Sequence, residues 1–171
     1  VMFAPLGLVL YLSARIHKMS ANAARTTFFT YSGIMGFSLS YILLVFTQES
    51  IVTTFLVTSA SFGALSLYGY TTKKDLSGMR SFLLMGLFGI ILASIVNIFM
   101  ASAAMHFAIS VIGVLLFAAL TAYDTQAIKQ MYYAGDTRET AEKKAVLGAL
   151  RLYLDFVNMF LFLLQFLGNR D

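Results

Sequence analysis

The sequence predicts an all-α polytopic membrane helix bundle, on three observations. Of the 171 residues, 59% are hydrophobic and only 12% are charged, about half the charge of a soluble domain. The apolar residues fall in blocks of roughly 20, the length of helix that crosses a bilayer core. The basic residues, finally, are confined to alternate gaps between those blocks. A β-barrel would show shorter, alternating segments, so helices are the expected spanning element. With no cysteine in the chain, disulfides and thiolate metal sites are excluded. The whole chain, 1–171, reads as one transmembrane helical domain.

Six apolar segments follow one another. The first, residues 1–13, is short. It opens in the middle of an apolar run without a basic region before it, so it reads as a truncated span and not as a signal peptide. The next five, at 26–46, 51–71, 81–100, 105–128 and 145–167, are each long enough to span. Gly33, Gly36, Ser59, Ser61, Gly63, Gly86 and Gly89 punctuate them. Small residues of this kind let membrane helices approach closely, and packing is the plainer reading of them.

Topology follows from lysine and arginine. Arg15, Lys18 and Arg25 lie between the first two segments, and Lys73, Lys74 and Arg80 between the third and fourth. Lys129, Arg138, Lys143, Lys144 and Arg151 lie between or near the ends of the last two. Only Arg170 of the twelve basic residues falls on the other side. The positive-inside rule places the basic loops in the cytoplasm and the C-terminus outside. The net charge of +4 is this topology signal, and it calls for no nucleic-acid partner.

One loop is polar enough to be structured in water. In "YYAGDTRETAEKKA" the chain breaks at Gly135 and restarts at Asp136, with Glu139 three residues on, the spacing of a capping box. Glu139 and Lys143 are four apart in the favourable order for an ion pair. A solvated helical lead-in to the last span is the plainer reading, a docking motif the sharper one. Tyr68, Tyr70, Tyr132 and Tyr133 read as interfacial belt residues, and Glu49 and His106 as boundary groups.

The charges inside the spans carry the functional argument. Asp155 is 11 residues beyond Lys144, about 16 Å of helix rise, which places it near mid-membrane. A charge at that depth costs at least about 2.5–3.5 kcal/mol, so it faces a partner or a water-filled cavity. Arg151 is one turn away on the same face and Asn158 nearly one turn on the other side, a polar stripe that should point inward. Asp124 lies five residues short of Lys129, shallower in its span. There a carboxylate could equally reach interfacial water or pair with Lys129.

Two membrane aspartates on adjacent helices suggest a shared proton, because like charges at close range cannot both ionise. Such a pair is a pH-sensing latch, closed when it shares the proton and pushed open when both groups are charged. Asp124, Asp155 and Asn158 would then mark a cation path. The two carboxylates could also bind calcium, which prefers oxygen ligands. Arg15 ends the first segment beside His17 and Lys18. It is either a plain topology charge or a counter-ion to the aspartates.

The segments "KKDLSGMRSFLLMGLFGIILASIVNIF", "AISVIGVLLFAALTAYDTQAIKQ" and "LRLYLDFVNMFLFLLQFLG" together resemble the transmembrane Bax-inhibitor-motif family, most closely its bacterial members. The resemblance runs over nearly the whole chain. It rests on the Tyr123-Asp124 dipeptide, on LYLDF around Asp155, and on the KKDL loop. It implies a seven-helix bundle with a central last helix, in the inner (plasma) membrane of a bacterium. It also implies a pH-sensitive calcium leak gated by the pair matching Asp124 and Asp155, latched by an arginine matching Arg15. With six segments here, the family's first helix is missing. An acidic residue that some relatives carry in the helix matching residues 1–13 is absent too. The resemblance implies no cofactor beyond a permeant or bound calcium ion, and no enzymatic activity.

Two other functions compete. In the first, the protein is an interaction protein that modulates a membrane protease or a stress pathway without conducting ions, and the exposed 138–144 lead-in matters more. In the second, it is an intramembrane aspartyl protease; Tyr123-Asp124 fits, but Asp155 follows Leu152-Tyr153-Leu154 and not the glycine-rich stretch of that class. No glycine-rich phosphate loop supports nucleotide-driven transport. A topology reporter separates the models at the first step. Fused after Asp171 it should read outside the cytoplasm, and inserted at Gly135 it should read inside; the reverse pair would sink the six-span reading.

Overall fold

The computed structural model describes residues 11–170. It is 86% helical, with no strand among the described residues. Six α-helices follow in order among these residues: α1 Ala21–Leu39, α2 Ile42–Val45, α3 Gln48–Thr71, α4 Arg80–Met100, α5 Ala103–Met131 and α6 Arg138–Leu167. Five stretches are long and apolar enough to cross a membrane: Ala21–Val45 (α1 with α2), Gln48–Thr71, Ser77–Met100, Ala103–Met131 and Arg138–Leu167. They coincide, to within a few residues at most ends, with the apolar segments expected after the first. The segment expected at 1–13 lies outside the described residues apart from its last three, which are helical.

Four of the helices begin with the same device. The hydroxyls of Ser20, Thr47, Ser102 and Thr137 each accept a hydrogen bond at 3.2 Å from the backbone N–H three residues on. Each thereby satisfies a donor that the helix itself leaves open. The cap of α6 is a correction to the sequence reading. Thr137, not Asp136, occupies the capping position, and the Asp136 carboxylate instead accepts from Lys144 Nζ at 2.6 Å. Lys144 is long enough to reach back from the second turn of α6, and a charge-assisted bond outweighs a neutral cap. The expected Glu139–Lys143 pair is present at 3.7 Å. At the other end of the bundle α4 closes on Ala101, whose φ of 50° is left-handed. Asn97 Oδ1 holds the turn by accepting from the Ser102 N–H.

Helix α6 packs against α1, α3 and α5, whereas α4 packs on α5. Apolar burial gives little drive between helices in lipid, so close fit has to hold them. On the α1 side, Tyr153 meets Phe28 and Tyr31 edge-on at 6.0 and 5.9 Å. On the α3 side, Phe156 meets Phe55 and Phe62 at 5.7 and 5.4 Å. Against α5, Phe162 lies over Gly113, and Ile128 lies over Gly148. The outward side chains are the greasiest of the chain, with Leu44 and Phe99 more than four-fifths exposed. They face the space that lipid fills.

The pairing of α5 with α6 fixes the depth of the aspartates. Ser110 with Gln165, Gly113 with Phe162 and Ile128 with Gly148 define one antiparallel register. In it α6 starts well beyond the end of α5, and Lys144 Nζ donates to the Met131 carbonyl at 3.0 Å. That overhang reduces the depth difference that counting residues from Lys129 and Lys144 suggests. Asp155 stands within one turn of Asp124.

A very close backbone approach lies between α3 and α5, where a Cβ on Gly69 would run into the backbone carbonyl of Ala122. Gly69→Ala should therefore lower stability by about 1–3 kcal/mol, despite the better helix propensity of alanine. Gly63, where an added methyl would meet nothing within 4 Å, is the control. Thermal unfolding in detergent should show a lower midpoint for Gly69→Ala and no loss for Gly63→Ala.

Candidate functional site

The site lies where α5 and α6 face each other. Asp155 is 4% exposed, and its Oδ2 is buried without a hydrogen-bond partner. The Asp124 side chain lies near the Asp155 carboxyl. Arg151, one turn along α6, is near enough for its charge to act on Asp155. It nevertheless forms no ion pair among the described residues. The arrangement thus places two carboxyls and one guanidinium close together. A carboxyl that is protonated can donate, one that is ionised can only accept, and a pair in contact is complete with a single proton between them.

Asp124 is reached from one side. A cavity of about 310 Å³ is lined by Arg80, Leu83 and Leu84 of α4, Leu120, Tyr123 and Asp124 of α5, and Arg151 of α6. Asp155 lies behind it. The loop between α3 and α4 leads into the α4 wall at Arg80. Gln126 fastens that loop, accepting from the Leu76 N–H at 2.7 Å and donating to the Lys74 carbonyl at 2.8 Å.

The other residues singled out by the sequence fall elsewhere. Arg15 is exposed, with its guanidinium 5.9 Å from the centre of the Tyr11 ring. Among the described residues it pairs with neither aspartate. Asn158 is half-buried and donates to the Leu154 carbonyl of its own helix at 2.8 Å. Lys129 does not take Asp124 as its partner; its ammonium donates to the Tyr70 carbonyl at 2.8 Å and sits over the Tyr70 ring at 4.7 Å. Tyr68, Tyr70, Tyr132 and Tyr133 are exposed as interfacial residues should be. Among the described residues no three histidine, aspartate or glutamate side chains converge in a metal-binding group.

Sequence reasoning missed two sets of polar residues. Arg80 looked like a loop charge, and only the packing of α4 on α5 brings it to the cavity. Ser50, Thr54 and Thr58 are also buried, at 8, 1 and 0% exposure. Their fourfold spacing makes one polar line along α3, a signal visible in the sequence once hydroxyls are counted with the charges. Phe55 and Phe62, on either side of Thr58 in α3, both touch Phe156. Thr58 therefore lies close to the level of Asp155.

Fold and composition together define an integral membrane protein of helical-bundle type, with a buried aspartate on its last helix. A family model described as "Inhibitor of apoptosis-promoting Bax1" matches residues 1–171, and the chain belongs to this Bax inhibitor-1 family. It is 52% identical over 172 residues to the inner membrane protein YbhL of Escherichia coli, covering 99% of this chain and 74% of the relative. A protein of Rickettsia prowazekii is 49% identical over 170 residues, with 99 and 72% covered. One of Caulobacter vibrioides is 48% identical over 173 residues, with 100 and 69% covered.

Gln126→Leu should unfasten the α3–α4 loop by leaving a buried N–H and a carbonyl without partners. The cost is about 2 kcal/mol. Hydrogen exchange should then show faster exchange at residues 74–79 than in the parent, and unchanged rates there would remove Gln126 from this role.

Proposed function

We propose that the protein is a pH-sensitive leak for calcium or a similar cation in a bacterial inner membrane, with Asp124 and Asp155 as its gate. The observation that carries this is the closeness of two carboxyls inside the bundle, one buried and the other lining a cavity. With one proton the pair holds α5 against α6. With none, two negative charges repel at short range in a poorly screening interior, and the helices separate. Leak therefore rises with pH.

The line of hydroxyls on α3 supports a cation as cargo. Thr58 donates to the Thr54 carbonyl and Thr121 of α5 to the Phe117 carbonyl, each at 2.7 Å. Each oxygen then has only lone pairs left to offer, which suits a cation and not an anion. At the end away from the basic loops, Glu49, Thr53 and Thr54 line a cavity of about 250 Å³, an entrance of matching chemistry. Calcium takes six to eight oxygen ligands; two carboxylates and a few hydroxyls fit transient passage and not a resident ion. Asp124 and Asp155 would be its passing ligands, with Asn158 one turn along.

Calcium entry into protein-only liposomes across a pH series tests the reading. The parent should conduct more as pH rises, over a narrow range. Asp155→Asn and Asp124→Asn should each abolish the pH response, and the double variant should add little, because groups acting as one unit are not additive. Independent, additive effects would separate the aspartates. Arg15 enters as a closing charge only if Arg15→Ala raises leak at neutral pH and Arg15→Lys partly restores closure, an ammonium lacking the guanidinium fork. Folded protein without flux at any pH would favour the interaction role, with a membrane protease or other membrane protein as partner.

A further inference from the structure

The cavity beside the aspartates has a second character that gating does not use. Helices α4 and α6 both pack on α5, and residues of all three line one cavity, with α4 and α6 as walls over a floor made by Leu120, Tyr123 and Asp124. Arg80 stands on one wall and Arg151 on the other. Among the described residues neither guanidinium has an ion-pair or hydrogen-bond partner. Leu83 and Leu84 continue the α4 wall from Arg80 toward the middle of the span, and Leu84 is 43% exposed on the outer surface. The cleft thus offers positive charge at the basic end of the bundle and an apolar wall running inward from it. That is the layout of a phospholipid: an anionic phosphate at the interface and an acyl chain below.

We propose that this cleft between α4 and α6 binds the headgroup of an anionic phospholipid, with its phosphate between Arg80 and Arg151. Guanidiniums suit the planar, bidentate recognition of phosphate oxygens. Basic pockets between membrane helices on one leaflet are a general route to lipid headgroup binding. The volume of about 310 Å³ accepts a phosphoglycerol group. Asp124 works against binding, because it places a carboxyl on the floor of the same cavity. The groups facing the site are Arg80 from α4, Tyr123 and Asp124 from α5, and Arg151 from α6, with Asp155 behind Asp124. Sharing a proton with Asp155 halves the negative charge at the floor. The lipid and the pair are therefore linked through electrostatics, and binding at one must be felt at the other. The site itself stands whether or not the protein conducts ions.

Retention of phosphatidylglycerol by the purified full chain tests the proposal. The protein is exchanged from nanodiscs of phosphatidylcholine with a minor fraction of phosphatidylglycerol, and bound lipid is counted by native mass spectrometry. Each of Arg80→Gln and Arg151→Gln should cut phosphatidylglycerol enrichment about fivefold, the worth of one basic residue near an anionic surface. Arg151→Lys should recover part of it, and Lys73→Gln, a basic residue outside the cleft, should leave it unchanged. Asp124→Asn should raise enrichment, a gain that loss of folding cannot mimic. Equal loss in the Lys73 variant would mean general surface charge and would overturn the site. So would full enrichment in the Arg80, Arg151 double variant. Displacement of the lipid by millimolar inorganic phosphate alone would assign the cleft to a free anion and overturn the lipid.

Discussion

A carboxyl group within hydrocarbon needs other polar groups near it, and the fold places Asp124 and Arg151 beside Asp155. Each ordinary solution is costly at that depth. Water would have to be brought in, and a lysine would have to leave the interface. In the function proposed above, a second carboxyl from the neighbouring helix takes that place. That choice fixes the relation of α5 and α6, because Asp124 and Asp155 meet only if α6 overhangs the end of α5. The overhang in turn has to be held from outside the membrane, where Lys144 ties both the Met131 carbonyl and Asp136. The polar lead-in is thus a structural part of the buried site.

The rest of the bundle follows from the absence of a hydrophobic drive in lipid. Steric fit substitutes for it. Glycines let backbones close where α3 crosses α5, aromatic edges lock α6 to α1 and α3, and hydroxyl caps satisfy helix starts. The two ends differ in chemistry. The basic end carries every lysine and nearly every arginine, and its loops are fastened by long side chains such as Gln126 and Lys129. At the other end the contacts are short: Thr47 donates its N–H to the Asn169 carbonyl at 3.0 Å, and Asn169 donates to Ser50 Oγ at 2.9 Å. The basic end also holds the cleft that reaches the aspartates.

Span positions were legible in the sequence because hydropathy over twenty residues sums many weak signals that all agree. Asp155 was legible because one charge in such a run has few bland explanations. The sharing of a proton with Asp124 is a proposal; that Asp124 lies near Asp155 was anticipated from pair chemistry. The register that permits it was not, since residue counting treats both helices as starting at the interface while α6 starts beyond it. The role of Asp136 was misplaced for a related reason: cap rules see three residues, and the Lys144 ammonium that claims Asp136 comes from two turns away. Arg80 was read as a loop charge because nothing in a linear sequence says that α4 lies on α5. Thr54 and Thr58 went unnoticed because hydroxyls are tolerated in any span, as where Thr58 bonds back to its own helix. Only burial distinguishes them. Arg15 remains where sequence placed it, at the basic end, with Tyr11 as its neighbour in this conformation.

The contact between the two carboxyls can be observed without any flux. Infrared difference spectra of the protein in lipid, with aspartate carbonyls isotopically labelled, follow the carboxyl stretches as pH is changed. If Asp124 and Asp155 share one proton, a single protonated carboxyl per chain should be lost at one pH, and replacing Asp124 with asparagine should shift the band and the titration of Asp155. Two carboxyls that titrate separately, with the Asp155 band unmoved by Asp124→Asn, would contradict the shared proton and leave Asp155 a solitary buried acid.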